Sequence, residues 1–308
     1  MRKALVETLL SLAKQDPRVV LLTGDLGYTV IEPFQEQYPD RFYNIGVAEQ
    51  NMVGIATGLA EAGYIPFVYS IVTFATLRPY EFIRNGPILH NLPVRIVGVG
   101  GGLEYGPAGP THHGLEDVAV FRHYPNMEIY TPADAKQLRS TLSQCWDRPG
   151  PAYYRVGKFE NFEVPGLDGK FELGKINTVT EGSDVLLLSM GSISTETVDT
   201  AIKLTEMGIN AQVSIVSQIN PLPIDALLNE LKKFSLVCTV EGHLVTGGLG
   251  SAVAEVLSES SLACVLKRFG IQDMGTESTG GYGYMINRSG LDSDSLCKQI
   301  HSWLSQHK

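Results

Sequence analysis

One carboxylate and a pair of histidines are the side chains in this sequence best suited to handling protons. Glu49 lies in Asn44-Ile45-Gly46-Val47-Ala48-Glu49-Gln50-Asn51-Met52, at the N-terminus of a predicted helix. The helix dipole and the free N–H groups there favour a negative charge, so by spacing alone the simpler reading is a capping acid. His112 and His113 are adjacent in Gly109-Pro110-Thr111-His112-His113-Gly114. Two histidines in a Gly/Pro loop, outside any apolar periodicity, are poor core material. A metal site lacks a carboxylate or cysteine at ligand spacing. Proton handling, or contact with a substrate hydroxyl from an active-site loop, fits better.

Two glycine strings could hold a phosphate but fit the requirement poorly. Gly98-Val99-Gly100-Gly101-Gly102 follows a strand, yet it runs into Leu103-Glu104-Tyr105-Gly106-Pro107, which cannot promptly start a helix. A dinucleotide fingerprint needs G-x-G-x-x-G opening a helix, with an acid about 20 residues on. Gly247-Gly248-Leu249-Gly250 does open a helix, where tight helix–sheet packing is the plainer role of glycine.

The elements that must position these residues alternate between strand and helix. Residues 2–14, 50–62 and 79–90 read as helices; residues 19–23, 65–69, 94–99 and 153–156 read as strands. After the polar, turn-rich stretch 159–182 a second set follows. Its strands are 185–189, 211–216, 236–240 and 264–269, and its helices are 194–207, 223–234, 250–258 and 293–304. Such alternation builds an α/β protein, here two domains with mostly parallel sheets flanked by helices. The expected limits are 1–165 for the first domain, 166–180 for a linker and 181–308 for the second.

With 44% hydrophobic and 19% charged residues, the 308-residue chain is composed like a globular protein. A net charge of −9 argues against nucleic acid or an anionic membrane as the default partner. No run of apolar residues is long enough to span a bilayer. The amphipathic start at Met1 does not read as a signal peptide. Cys145, Cys238, Cys264 and Cys297 are far apart, which suits reduced, buried thiols and a cytoplasmic location.

Together the motifs resemble the pyrimidine-binding and C-terminal domains of transketolases and deoxyxylulose-phosphate synthases. The resemblance is collinear over nearly the whole chain. It runs through Gly24-Asp25-Leu26-Gly27, the stretch 41–60 (RFYNIGVAEQNMVGIATGLA), Phe74–Arg78 (FATLR), the loop 109–114, and 241–255 (EGHLVTGGLGSAVAE). It implies thiamine diphosphate as cofactor, with Glu49 hydrogen-bonded to the pyrimidine N1′ so that the 4′ nitrogen can take a proton. Phe74 would stack on the aminopyrimidine, and Asp25 would stand near the cofactor at a domain interface. His112 would contact substrate oxygens and shuttle protons, with His113 beside it. Arg155 and Lys158 would hold a sugar phosphate. The catalytic pair is then Glu49 and His112.

Two departures bear on the substrate: Gly100 stands where relatives carry a histidine, and Ala108 where they carry an aspartate. Both relatives' side chains contact hydroxyls of ordinary ketose donors, so a deoxy or modified sugar is the expectation here. The Gly-Asp-Gly…Asn motif that binds the diphosphate through Mg²⁺ or Ca²⁺ does not occur in this sequence. The resemblance therefore implies a second, diphosphate-binding subunit carrying the metal ligands, in an α2β2 assembly with this chain at the β–β contact. The expected reaction moves a ketol unit from a ketose to an aldehyde acceptor. Two rivals are the β subunit of a 2-oxo acid dehydrogenase and a catalytically silent relative acting as a structural or regulatory partner.

Overall fold

A computed structural model describes residues 1–274 and 278–306. Twelve strands among them are β1 (Val19–Thr23), β2 (Phe42–Asn44), β3 (Ile65–Ile71), β4 (Arg95–Val99), β5 (Glu128–Tyr130), β6 (Ala152–Val156), β7 (Asn177–Thr180), β8 (Val185–Met190), β9 (Ala211–Ile215), β10 (Gln218–Asn220), β11 (Leu236–Leu244) and β12 (Val265–Ile271). They form two sheets, ordered β10-β5-β6-β4-β3-β1-β2 and β12-β11-β8-β9-β7. All pairings are parallel except β10 with β5 and β7 with β9. The expected two-domain α/β architecture is therefore the one observed.

Uninterrupted apolar strands follow from burial on both faces. In β1, Val20 and Leu22 join one core cluster while Val19 and Leu21 join another on the opposite face. The helix Arg2–Gln15 covers the second of these through Leu5, Leu9 and Leu12. The helix Glu49–Glu61 covers the first through Met52, Val53, Ala56 and Ala60, which recur at helical spacing. That first cluster continues into the second domain through Leu186, Leu188, Val216 and Leu249, so one core crosses the boundary.

Some elements differ from expectation. The span 79–90 is a short helix, Tyr80–Ile83, followed by a π-helical turn at Arg84–Ile88. Pro87 lies inside that turn, where its missing N–H breaks the regular ladder. The strand β7 lies within the span expected as linker and closes the second sheet. β10, from the second half of the chain, adds to the first sheet beside β5. Among the described residues no helix is long and apolar enough to cross a membrane.

Candidate active site

The parallel order of β6-β4-β3-β1-β2 sets their carboxyl ends side by side, and ligand crevices in open α/β sheets form at such ends. Asp25 follows β1, Glu49 follows β2, Phe74 follows β3, His112 and His113 lie in the loop after β4, and Lys158 follows β6. Residues scattered over more than 130 positions are brought to one rim by topology alone.

Glu49 is 0% exposed, yet its carboxylate makes no cap bond to its own helix. Oε1 accepts from the Ser70 hydroxyl at 2.9 Å, and Oε2 pairs with an Arg78 guanidinium nitrogen. Gly24 backs this carboxylate closely, since a Cβ there would lie 3.1 Å from Oε1. Burying a carboxylate is expensive unless it is paired, and Ser70 and Arg78 supply that pairing where the simple capping reading would have used the helix N-terminus.

Phe74 sits in the short helix Val72–Thr76 directly after β3, half-buried. The His112 ring stands edge-on to it, with centroids 4.9 Å apart at 72°. The Arg78 guanidinium lies over the Phe74 ring, 4.4 Å from its centroid. His112 is fixed by Thr111, whose Oγ1 is 2.9 Å from Nδ1, and Thr73 Oγ1 donates to the Thr111 carbonyl at 3.1 Å. His112 is thereby tied to the same helix as Phe74.

His113 behaves differently from its neighbour. It is fully buried, and among the described residues neither ring nitrogen has a hydrogen-bond partner of good geometry. Burial lowers its pKa. Asp25 is exposed in a left-handed conformation, φ 58°, and accepts from Asn44 Nδ2 at 3.0 Å and from the Tyr28 hydroxyl at 2.7 Å. Those bonds, Asn44 first, hold its pKa below the usual carboxylate range. Asn44 also accepts from the Asp25 and Gly46 amides, so it laces the β1 and β2 loops together.

The two cations expected at a sugar phosphate part company. Arg155 is 6% exposed and committed inward: Nε donates to Asp117 Oδ2 at 2.7 Å, and Nη2 donates to the Gly114 and Gly242 carbonyls, each at 2.8 Å. Gly242 belongs to the second domain, so Arg155 is a buried clasp between domains through Nε and Nη2. Lys158 remains at the rim, with Nζ 4.2 Å from the Tyr105 ring centroid and 3.4 Å from the Glu104 carbonyl. Burial lowers its pKa.

The structure also explains Gly100. Its φ is +80°, and a Cβ there would lie 2.1 Å from the Tyr105 ring. The volume that a side chain at 100 would take is filled by Tyr105, which stands between His112 (centroids 6.3 Å) and Lys158. Ala108 is exposed in the short turn Gly106–Ala108.

Residues 1–160 match the transketolase pyrimidine-binding domain, and residues 174–294 match the transketolase C-terminal domain. The chain belongs to the transketolase family. It is 35% identical over 293 residues to an apulose-4-phosphate transketolase subunit of Actinobacillus succinogenes, covering 95% of this chain and 94% of that one. It is 35% identical to the 6-deoxy-6-sulfo-D-fructose transketolase subunit SqwH of Clostridium sp., with 98% and 93% covered. A solved split-gene transketolase, described as an inactive β4 tetramer, superposes with a TM-score of 0.87 at 33% identity, covering 99% and 97% of the two chains.

Within this family fold the expected residues Glu49, Phe74 and His112 come together, and Asp25 and Lys158 flank them. Sequence reasoning missed Ser70, Arg78 and Tyr105. Ser70 is a polar residue inside the apolar run of β3, and Arg78 closes the FATLR string; both pair with Glu49 across separations that no local spacing reveals.

Proposed function

We propose that this chain is the pyrimidine-binding, β-type subunit of a split, thiamine-diphosphate-dependent transketolase, completed by a diphosphate-binding subunit. The observation that carries the reading is Glu49: a buried, non-capping carboxylate joined through Arg78 to the Phe74 ring, which His112 meets edge-on. These residues fit the cofactor's aminopyrimidine. Gly24 leaves room behind the carboxylate, Phe74 offers a ring to stack on, and Ser70 fixes Oε1 so that Oε2 faces a ligand donor. When bound, thiamine diphosphate supplies a nucleophilic carbon and an electron sink for C–C cleavage.

This chain's own residues then have definite tasks. Glu49 Oε2 shares a proton with the pyrimidine N1′. Phe74 orients the ring. His112, held by Thr111, donates to or accepts from a substrate oxygen, and its fixed ring makes that exchange directional. Lys158 places a cation at the rim, where the anionic end of a phosphorylated or otherwise modified sugar would lie. Asp25, bonded to Asn44 and Tyr28, steadies the loops after β1 and β2 at the cofactor's side of the site, and His113 stands beside His112 on the substrate side.

The similarity to subunits named for apulose 4-phosphate and for a sulfosugar supports an anionic, unusual ketose as donor and an aldehyde as acceptor. The similarity to an inactive β4 tetramer supports the need for a second kind of chain and an α2β2 assembly, and the lack of a Gly-Asp-Gly…Asn string in this sequence favours metal ligands for Mg²⁺ or Ca²⁺ on the partner. Among the described residues no group of three or more His, Cys, Asp or Glu side chains is arranged to hold a metal ion.

The test is co-expression with a subunit carrying Gly-Asp-Gly…Asn, then calorimetric titration with thiamine diphosphate and Mg²⁺ and a screen of phosphorylated ketoses. Binding by the complex, with turnover lost at least about 100-fold in Glu49→Gln, is expected. Full turnover in that variant, or turnover of 2-oxo acids with a lipoyl partner, would remove the assignment. A complex that binds no cofactor would favour the silent relative.

A further inference from the structure

Arg78 occupies both contacts of the pyrimidine recess at once. One guanidinium nitrogen pairs with Glu49 Oε2, and the same group lies over Phe74 with its carbon 4.4 Å from the ring centroid. A guanidinium is planar, donates N–H to a carboxylate and stacks on an aromatic face. An aminopyrimidine held by Glu49 and Phe74 would present the same three features. The two planar groups cannot share that face of Phe74 and that oxygen of Glu49.

We infer that Arg78 is a stand-in for the cofactor ring: it neutralises Glu49 and covers Phe74 in the unloaded chain, and it must swing out before the pyrimidine can dock. This rests on the proposed cofactor and adds a competing internal ligand to it. Arg78 is placed to move. It lies just past the helix Val72–Thr76 and before Pro79, its side chain is 32% exposed, and the partners of its guanidinium among the described residues are Glu49 and Phe74. Ser70, by contrast, is fully buried and keeps Glu49 Oε1 in place while Oε2 changes partners. The device also answers a problem of the unloaded state, because Glu49 without Arg78 would be a buried, uncompensated carboxylate.

Population arithmetic sets the expected effect. If the Arg78–Glu49 pair is closed about nine-tenths of the time, the cofactor binds about tenfold more weakly than to an open recess. Removing the guanidinium also makes the empty recess less favourable, which acts in the same direction. The experiment is calorimetric titration of thiamine diphosphate, with saturating Mg²⁺, into the reconstituted complex of wild type and Arg78→Met, with circular dichroism and gel filtration checking fold and assembly. Tightening of about tenfold is expected. Unchanged or weaker binding would overturn the inference, a weaker value meaning that Arg78 helps to hold the cofactor. Should Arg78→Met fail to fold, Arg78→Gln carries the same comparison. A wild-type complex that binds no cofactor would count against the proposed function and leave the Arg78–Glu49 pair to be read as structural.

Discussion

Glu241 offers the sharpest test of the physical reasoning, because its environment converts directly into a pH dependence. It lies in β11, 0% exposed, and its carboxylate accepts from the Leu249 amide at 2.7 Å and the Gly250 amide at 2.9 Å, the first turn of the helix Leu249–Ser258. Burial raises its pKa from 4.5 to about 7, against the opposing pull of those two amides. The sign follows from proton counting. Between pH 4.5 and 7 the folded chain retains a proton that the unfolded chain has lost, so stability falls as pH rises and levels off above about 7. The full span of that fall is about 3 kcal/mol, from a pKa carried from 4.5 to about 7 at about 1.4 kcal/mol for each tenfold change in proton affinity. His243, 4.0 Å away, is itself pushed down by burial and titrates with the opposite slope, so wild type alone would mix the two. The assay is therefore urea unfolding of wild type and Glu241→Gln from about pH 4.5 to 8, read as the difference between them. Gln can accept only one of the two amide bonds, which sets a constant offset. The wild type should lose up to about 3 kcal/mol relative to the variant across that window. A difference that stays flat, or that grows in favour of wild type as pH rises, would refute the argument.

Asp117→Asn should strand the buried Arg155 guanidinium and cost about 3–5 kcal/mol, seen as a fall of roughly 10 °C in Tm by scanning calorimetry. Gly100→Ala must fit a Cβ against Tyr105 at positive φ, and a loss of about 2–4 kcal/mol is expected in denaturant unfolding. In the double variant with Tyr105→Ala the clash is relieved and only the backbone part, about 1 kcal/mol, should remain relative to Tyr105→Ala alone. Lys158→Met in the reconstituted enzyme should raise KM for a phosphorylated donor about 10- to 100-fold with a smaller change in kcat, measured by coupled steady-state assay.

What the sequence made legible was whatever leaves a local trace. The short apolar runs at 19–23, 185–189 and 236–240 read as strands, and they are β1, β8 and the start of β11. Glu49, Phe74 and His112 were found because each sits in a distinctive string, and β-strand order then brings the strings together. The three-residue strands β5 and β10 were invisible, being too short for any periodicity, and their pairing is decided by tertiary context. The inward pairing of Arg155 was hidden for a related reason. A cation at a strand end near a rim looks available, while its carboxylate partner lies 38 residues earlier in a helix of its own. Arg78 stood within a recognisable string but had no task there, since a cation–carboxylate pair 29 residues apart is set by the fold and not by spacing.

The strand β10 has a consequence for evolution and for engineering. It departs from the second sheet's side of the chain, docks against β5 and completes the first sheet. A fragment cut at residue 165 would keep β5 but lose its cover, leaving the backbone donors and acceptors of Glu128–Tyr130 as an open sticky margin. Grafting a foreign second half would meet the same difficulty unless it brought its own matching strand. A recombination breakpoint in the apparent linker would therefore divide a sheet as well as a chain.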